Sequence, residues 1–278
     1  MNLFIHGLDA NIQLGNSYHD DRHATLKADY VLANPPFNDG SKGENGWGAE
    51  KIADKDPRLV LGNERMPLSP RNANPMWIMH FLYHLKEGGT AGFVMATGEQ
   101  SNGENARLEV RKTLIEQDYV DCIVQLTGQL FANTQIPCSL WFLSRSRKGG
   151  CRFRKRTGEV LFIDGRKLGT LMPGSRKQKQ LSAADIERIA AVYQQFKRRG
   201  KPEDVAGFCR VATRDEIRSH GYALAPGRYV GNSDLDDESE PIEDRLPRLT
   251  ALLLNEFEES FRLANDIKQQ LKKVSDGR

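Results

Sequence analysis

Between residues 28 and 165 short apolar runs alternate with stretches of helical spacing, and this alternation limits the folds open to the chain more than any other feature. YVLA (30–33), TAGFVMATG (90–98), VDCIVQL (120–126), PCSLWFLSR (137–145) and VLFID (160–164) read as strands. PMWIMHFLYHL (75–85) and ARLEVRKTLIEQ (106–117) read as helices, the first followed by Gly88-Gly89 as a C-cap signal. Strands separated by helices imply an α/β domain with a largely parallel sheet covered on both faces. IQLG (12–15) reads as one further strand. The long segment between Asn38 and Asn74, rich in Gly and broken by Pro57, Pro67 and Pro70, is expected to be functional.

After this alternation the character of the chain changes. RSRKGGCRFRKR (145–156) concentrates seven basic residues around Gly149-Gly150 and reads as a hairpin tip, with DNA phosphate as a candidate ligand. Ser182 and Asp185 form a capping box that opens a helix with Ile186, Ile189, Tyr193 and Phe196 on one stripe. Residues 234–244 hold seven Asp or Glu and read as a linker. Beyond it Leu246, Leu249, Leu253, Phe257, Phe261, Ala264, Ile267, Leu271 and Val274 recur at steps of three or four, the seam of a coiled-coil-like helix with Pro247 in its first turn.

Composition excludes several classes. Forty Lys and Arg against 37 Asp and Glu leave +3, too little to mark a nucleic-acid binder by charge alone. No apolar run reaches the roughly 18 residues of a membrane span, and MNLFIHGLDANIQLGN lacks the flanks of a signal peptide, so a cytoplasmic protein is expected. Cys122, Cys138, Cys151 and Cys209 form no CxxC pair, and three of them read as buried thiols. His6, His80 and His84 show no third ligand at metal spacing, so no metal is expected.

The chemistry lies in Asn34-Pro35-Pro36-Phe37, directly after the strand DYVLA. In open α/β sheets ligands bind beyond the carboxyl ends of strands. Neither proline donates a backbone hydrogen bond, and each holds the residue before it extended. The Asn34 amide oxygen and the Pro35 carbonyl can therefore project together as two fixed acceptors. Two acceptors suit a planar amino group, whose lone pair they draw out of conjugation. Phe37 offers a face for a base taken out of the duplex. The alternative is a rigid turn, with Asn34 capping local backbone and Phe37 in the core.

NPPF after such a strand resembles the catalytic motif of S-adenosylmethionine-dependent amino-group methyltransferases. The wider text (MNLFIHG, LKADYVLANPPFN, AGFVMATG, RKTLIEQDYVDCIVQL, TQIPCSLWFLSR, GEVLFIDGRKLG, DIERIAAVY and APGRYVG, in that order) resembles the modification subunit of type I restriction–modification systems, an adenine-specific DNA methyltransferase. The resemblance implies a Rossmann-like α/β methyltransferase fold, incomplete at its N-terminal side, followed by a C-terminal helical extension. Residues 1–231 would form the partial catalytic domain, 232–245 an acidic linker and 246–278 a helix for partner docking. Asn34, Pro35, Pro36 and Phe37 would be the catalytic set, and S-adenosylmethionine the cofactor.

The family's aromatic-x-Gly-x-Gly cofactor loop and acidic ribose-binding residue would precede MNLFIHG, and Gly40, Gly43, Gly46 and Gly48 lie on the wrong side of NPPF to replace it. Where the family carries Gly-Asp after its third strand, this chain has Gly15-Asn16, which makes Asn16 the candidate cofactor residue. The isolated chain is expected to hold the cofactor weakly, with DYVLA at an unpaired sheet edge. A separately encoded N-terminal half would complete it, or the reading frame is a remnant. The implied partners are the specificity and restriction subunits and double-stranded DNA. A non-catalytic assembly module is the alternative function; methylation of a glutamine amide or an RNA guanine is a lesser one.

Overall fold

In a computed structural model, which describes residues 2–40, 46–231 and 242–275, six strands form one mixed sheet. In chain order they are β1 (Ala28–Ala33), β2 (Leu85–Ala96), β3 (Val120–Leu126), β4 (Cys138–Ser144), β5 (Glu159–Gly165) and β6 (Cys209–Thr213). Their spatial order is β1-β2-β4-β3-β5-β6. The β1–β2 and β3–β5 pairs are parallel, whereas β4 is antiparallel to both its neighbours and β6 is antiparallel to β5. The expected largely parallel sheet is thus corrected: β1, β2, β3 and β5 run the same way, but β4 inserts between β2 and β3 and reverses two ladders. Periodicity cannot show such an insertion, because a fully covered strand reads alike in either direction.

Side-chain alternation divides the core into two layers. Ile123 of β3 and Phe162 of β5 face a cluster shared with α1 (Asn74–Tyr83), α2 (Asn105–Glu116) and α4 (Arg214–Ser219). Cys122, Val124, Leu161 and Ile163 face the other cluster, where α3 (Ala183–Gln194) lays down Ile189 and Tyr193. The Ser182–Asp185 capping box opens α3, and a π-helical turn, Gln195–Arg199, continues it and buries Phe196. Ile186 departs from the expected stripe and is exposed. Cys122, Cys138 and Cys209 are buried and Cys151 is exposed.

Three local expectations are corrected. IQLG (12–15) is not a strand and Leu14 is 93% exposed, because a strand needs a neighbour to complete its hydrogen bonds and no described strand pairs with it. Gly88-Gly89 does not cap α1; that helix ends at Tyr83 with His84 as its C-cap, β2 begins at Leu85, and Gly88 lies inside the strand at φ +77°. Residues 145–156 are not a hairpin tip, because β3 lies between β4 and β5 and the segment crosses it. It is fastened by Arg147 and Arg156, whose Nε atoms lie 3.1 and 2.8 Å from the buried Asp121 Oδ1. Burial works hardest against ionising Asp121. The charges of Arg147 and Arg156, with hydrogen bonds from Arg156 and Tyr193, outweigh it and hold the carboxyl below its ordinary range.

The chain divides into two compact units, residues 1–233 and 234–278. The described residues of the second form one helix, α5 (Ile242–Ser275), in which Pro247 lies past the first turn rather than within it, at the cost of one backbone hydrogen bond. The seam residues Leu246, Leu249, Leu253, Phe257, Phe261, Ile267 and Leu271 are all exposed. Residues 232–241 of the expected acidic linker lie outside the described residues, and 242–245 belong to α5 rather than to a linker, because the helical turn begins four residues before the apolar seam. No described helix is long and apolar enough to cross a membrane.

Candidate active site

The carboxyl ends of the four co-directional strands gather one loop each. After β1 comes Asn34-Pro35-Pro36-Phe37, after β2 the turn Thr97–Gln100, and after β3 the segment 127–137. Pro35 is buried and Asn34 is exposed. Neither the Asn34 side chain nor the Pro35 carbonyl hydrogen-bonds to any described residue. The Asn34 half of the alternative, capping of local backbone, therefore has no counterpart in the structure, whereas its Phe37 half is met in part, since Phe37 packs against the core cluster on the α3 side. Phe37 is half-buried, its ring centroid 5.9 Å from that of Phe131 and tilted 78° to it. Such an arrangement presents two unengaged acceptors and a partly open aromatic ring at one place, the complement of a planar amino group on an unstacked base.

A buried polar knot holds the loop at its exit. Asn38 adopts φ +53°, a left-handed conformation that asparagine tolerates when its side chain bonds locally. Its backbone N–H donates to Asn74 Oδ1 at 2.9 Å, and its own Oδ1 accepts from Asn72 and Asn74 Nδ2, both at 3.0 Å. Asn74, the first residue of α1, also donates to Glu99 Oε2 at 3.1 Å. Glu99 in turn accepts from Arg107 Nε at 2.9 Å and Nη2 at 2.5 Å, while Arg111 donates to the Glu99 carbonyl at 3.2 Å. A charge pair as buried as Glu99–Arg107 needs hydrogen bonds to offset its desolvation, and Asn74 and Arg107 supply three of them to Glu99 Oε2. A second tie runs from Trp77 Nε1 to the Tyr18 hydroxyl, and from that hydroxyl to Asp39 Oδ2 at 3.1 Å. Burial first, and then Asp39, push the Tyr18 hydroxyl well above its usual pKa, so it stays a donor.

Asn16 sits in a turn of its own, where its Oδ1 accepts from the Tyr18 N–H at 2.9 Å. Its Nδ2 is buried with no partner. Gly15 and Ser17 line a cavity of about 340 Å³ against Tyr30–Ala33 of β1. No hydrogen bond joins Asn16 to residues 34–37. The same cavity is lined by Asp21, His80 and His84, whose ligand atoms lie within 4.8 Å of one another. Asp21 is the third group that sequence spacing does not reveal. His84 uses both ring nitrogens, Nδ1 at 2.9 Å from the Leu26 carbonyl and Nε2 at 2.8 Å from Asp21 Oδ2. Burial, then the charges of His84 and Arg58, push His80 down to about 4, so it is neutral at pH 7. His84, through Leu26 and Asp21, ties residues 21–26 to the end of α1, while Arg58, 3.2 Å from His80 Nδ1, holds the Ser17 and Tyr18 carbonyls.

Sequence reading missed Asn38, Asn74, Glu99 and Arg107. The only signal was the asparagines of NPPFND (34–39) and RNANP (71–75), which nothing local marks as partners.

A model of the family described as N-6 DNA Methylase matches residues 1–238. The chain is 41% identical over 275 residues to the type I restriction enzyme MjaIX methylase subunit of Methanocaldococcus jannaschii, covering 98% of this chain and 47% of that one. It is 38% identical over 274 residues to the HindI methylase subunit of Haemophilus influenzae, covering 98% and 57%. It thus spans about half the length of these curated relatives. Among solved structures, the methyltransferase subunit of a type I restriction-modification system from Streptococcus thermophilus superposes with a TM-score of 0.67 at 27% identity, covering 83% of this chain and 45% of that one.

The knot makes a local prediction. Asn74→Ala removes every side-chain bond that Asn74 makes to Asn38 and Glu99. It should lower unfolding free energy by about 1–3 kcal/mol and speed hydrogen exchange at the Asn38 amide. Denaturant titration and exchange mass spectrometry read the two effects; an unchanged Asn38 exchange rate would show that the knot does not hold the loop.

Proposed function

The chain belongs to the N-6 DNA methylase family, and from that premise we propose that it carries the catalytic loop of an adenine-specific methylase subunit in a type I restriction–modification system. The observation that carries this reading is the pair of unengaged acceptors at the carboxyl end of β1. Asn34 Oδ1 and the Pro35 carbonyl accept the two amino hydrogens of an adenine rotated out of its duplex, and Phe37 stacks on its ring. With both hydrogens held, the nitrogen lone pair leaves conjugation with the ring and points along the line of attack. S-adenosylmethionine, when bound, supplies a methyl group on a positively charged sulfur. The two oxygens would stabilise the positive charge that the nitrogen gains as it takes the methyl, whose bond to sulfur breaks to leave a neutral thioether, until a proton leaves to water. Pro36 keeps Pro35 extended, so the carbonyl needs no rearrangement during reaction.

For the cofactor, this chain offers the orphaned Asn16 Nδ2 beside Gly15 and Ser17, a donor suited to a ring nitrogen. The relatives' additional length is the proposed source of the remaining contacts and of a strand against the open edge of β1, where Tyr30 and Leu32 are exposed. Residues 1–231 are the proposed catalytic portion. The seam of α5 is proposed to dock on the specificity subunit, within a complex that also holds the restriction subunit and double-stranded DNA.

In a methylase complex containing this chain, Asn34→Ala should slow single-turnover methyl transfer by about 10²-fold or more with the fold unchanged. Phe37→Ala should weaken engagement of the target adenine by roughly 1–3 kcal/mol. An unchanged rate in Asn34→Ala would remove the catalytic assignment and leave an assembly role. That role has its own check: Leu253→Asp with Leu271→Asp should abolish co-purification with the specificity subunit, because each substitution puts a charge into a seam that must desolvate. Retained co-purification would contradict the docking.

A further inference from the structure

The basic crossover 145–156 takes no part in the chemistry above. Ala96 pairs with Cys138 at the catalytic end of the sheet, whereas Thr90 pairs with Ser144 six residues away. β1 ends at Ala33 opposite Phe93, so at ~3.3 Å per residue the crossover leaves the sheet some 13 Å along the strands from the level of Asn34. Its cations are of two kinds. Arg147 and Arg156 are buried on Asp121, and Arg154 pairs with Glu159 at 2.7 Å. Lys148, Arg152 and Lys155 are exposed and form no ion pair with a described residue.

A second basic segment, remote in sequence, is fused to the first. The Arg154 N–H donates to the Lys197 carbonyl at 3.0 Å, and Arg154 Nε donates to the Phe196 carbonyl at 2.6 Å. Lys197 Nζ lies 4.5 Å from the centre of the Phe153 ring, which the guanidiniums of Arg152 and Arg198 also flank at 6.0 Å. Arg198, Arg199 and Lys201 bring further exposed charge to the place where Arg152 and Lys155 already stand. Lys197 anchors this turn to the sheet through Thr90 Oγ1 at 2.8 Å. Asp29 and Glu87 lie across the neighbouring cavity and bound the patch on one side.

We propose that Arg152, Lys155, Arg198 and Arg199 form a second DNA-contact surface, which binds the phosphate backbone of duplex DNA at the end of the sheet away from Asn34–Phe37. The cations are spread over two segments and converge on no single pocket, which suits a polyanion rather than one phosphate. Protein interfaces centre on apolar and aromatic residues. Here the central aromatic, Phe153, is half-buried beneath cations, and the exposed side chains around it, Arg152, Lys155 and Arg198, are positive, the composition of a DNA contact. The buried Asp121 anchor fixes the backbone of the crossover, so binding has to order the exposed side chains but not the loop.

The test is fluorescence anisotropy of the full chain with a labelled 24-base-pair duplex across a salt series. Combined Arg152→Ala, Lys155→Ala, Arg198→Ala and Arg199→Ala should weaken binding at least about 10-fold at 0.1 M salt and flatten the log–log salt slope by about 3. Photo-crosslinking of the unmodified chain should label residues within 148–155 and 197–201. Unchanged affinity and slope, or crosslinks confined to other segments, would overturn the proposal. So would displacement of the duplex by poly-glutamate at equal charge, which would instead favour an acidic protein partner. No readout involves methyl transfer, so failure here and failure of the catalytic reading are separable.

Discussion

The buried Glu99–Arg107 pair, completed by Asn74, is the interaction on which the site depends. Three elements that are far apart in sequence meet there: the exit of the NPPF loop, the first residue of α1 and the turn that follows β2. A charge pair with side chains 8% and 1% exposed is a poor source of net stability, since desolvation consumes much of the Coulombic gain. Its value is geometric. Removing any partner leaves buried polar atoms unsatisfied, so the arrangement has few alternatives. The loop entering Asn38 is therefore held at one end by β1 and at the other by the knot, with Asn34 and Pro35 between two fixed points.

The sheet then sorts the surface of the molecule by function. Because β4 returns antiparallel between β2 and β3, the loops after β1, β2 and β3 share one end while the crossover after β4 emerges at the other. Acceptors suited to an amino group collect at the first end and unpaired cations at the second. Asp121 serves the second end as Glu99 serves the first. Asp121 is a buried carboxylate held by two arginines, Glu99 one held by Arg107 and Asn74 with Arg111 on its backbone carbonyl, and each fixes a surface loop whose exposed residues are then free to engage a ligand.

Which features could be read from the sequence follows from their range. The strands carrying TAGFVMATG, VDCIVQL and VLFID, the Ser182 capping box and the placement of NPPF after a strand are local patterns, and periodicity or a short motif reveals them. The reversal of β4 is not local, since a covered strand such as CSLWFLS is apolar whichever way it runs. The knot joins Asn38 to Asn74 and Glu99, and the basic patch joins residues 148–155 to 197–201; both are tertiary, with no spacing rule to announce them. IQLG shows the converse error. Its alternation is strand-like, but a strand forms only against a neighbour.

The central claim is that the Asn34-Pro35 acceptors act on an exocyclic amino group of adenine. Nucleoside mass spectrometry of DNA modified by the complex containing this chain tests it most directly, because it identifies the atom that receives the methyl. The account predicts N6-methyladenine. Methyl groups found on a cytosine ring carbon, or on adenine at a ring nitrogen, would contradict it.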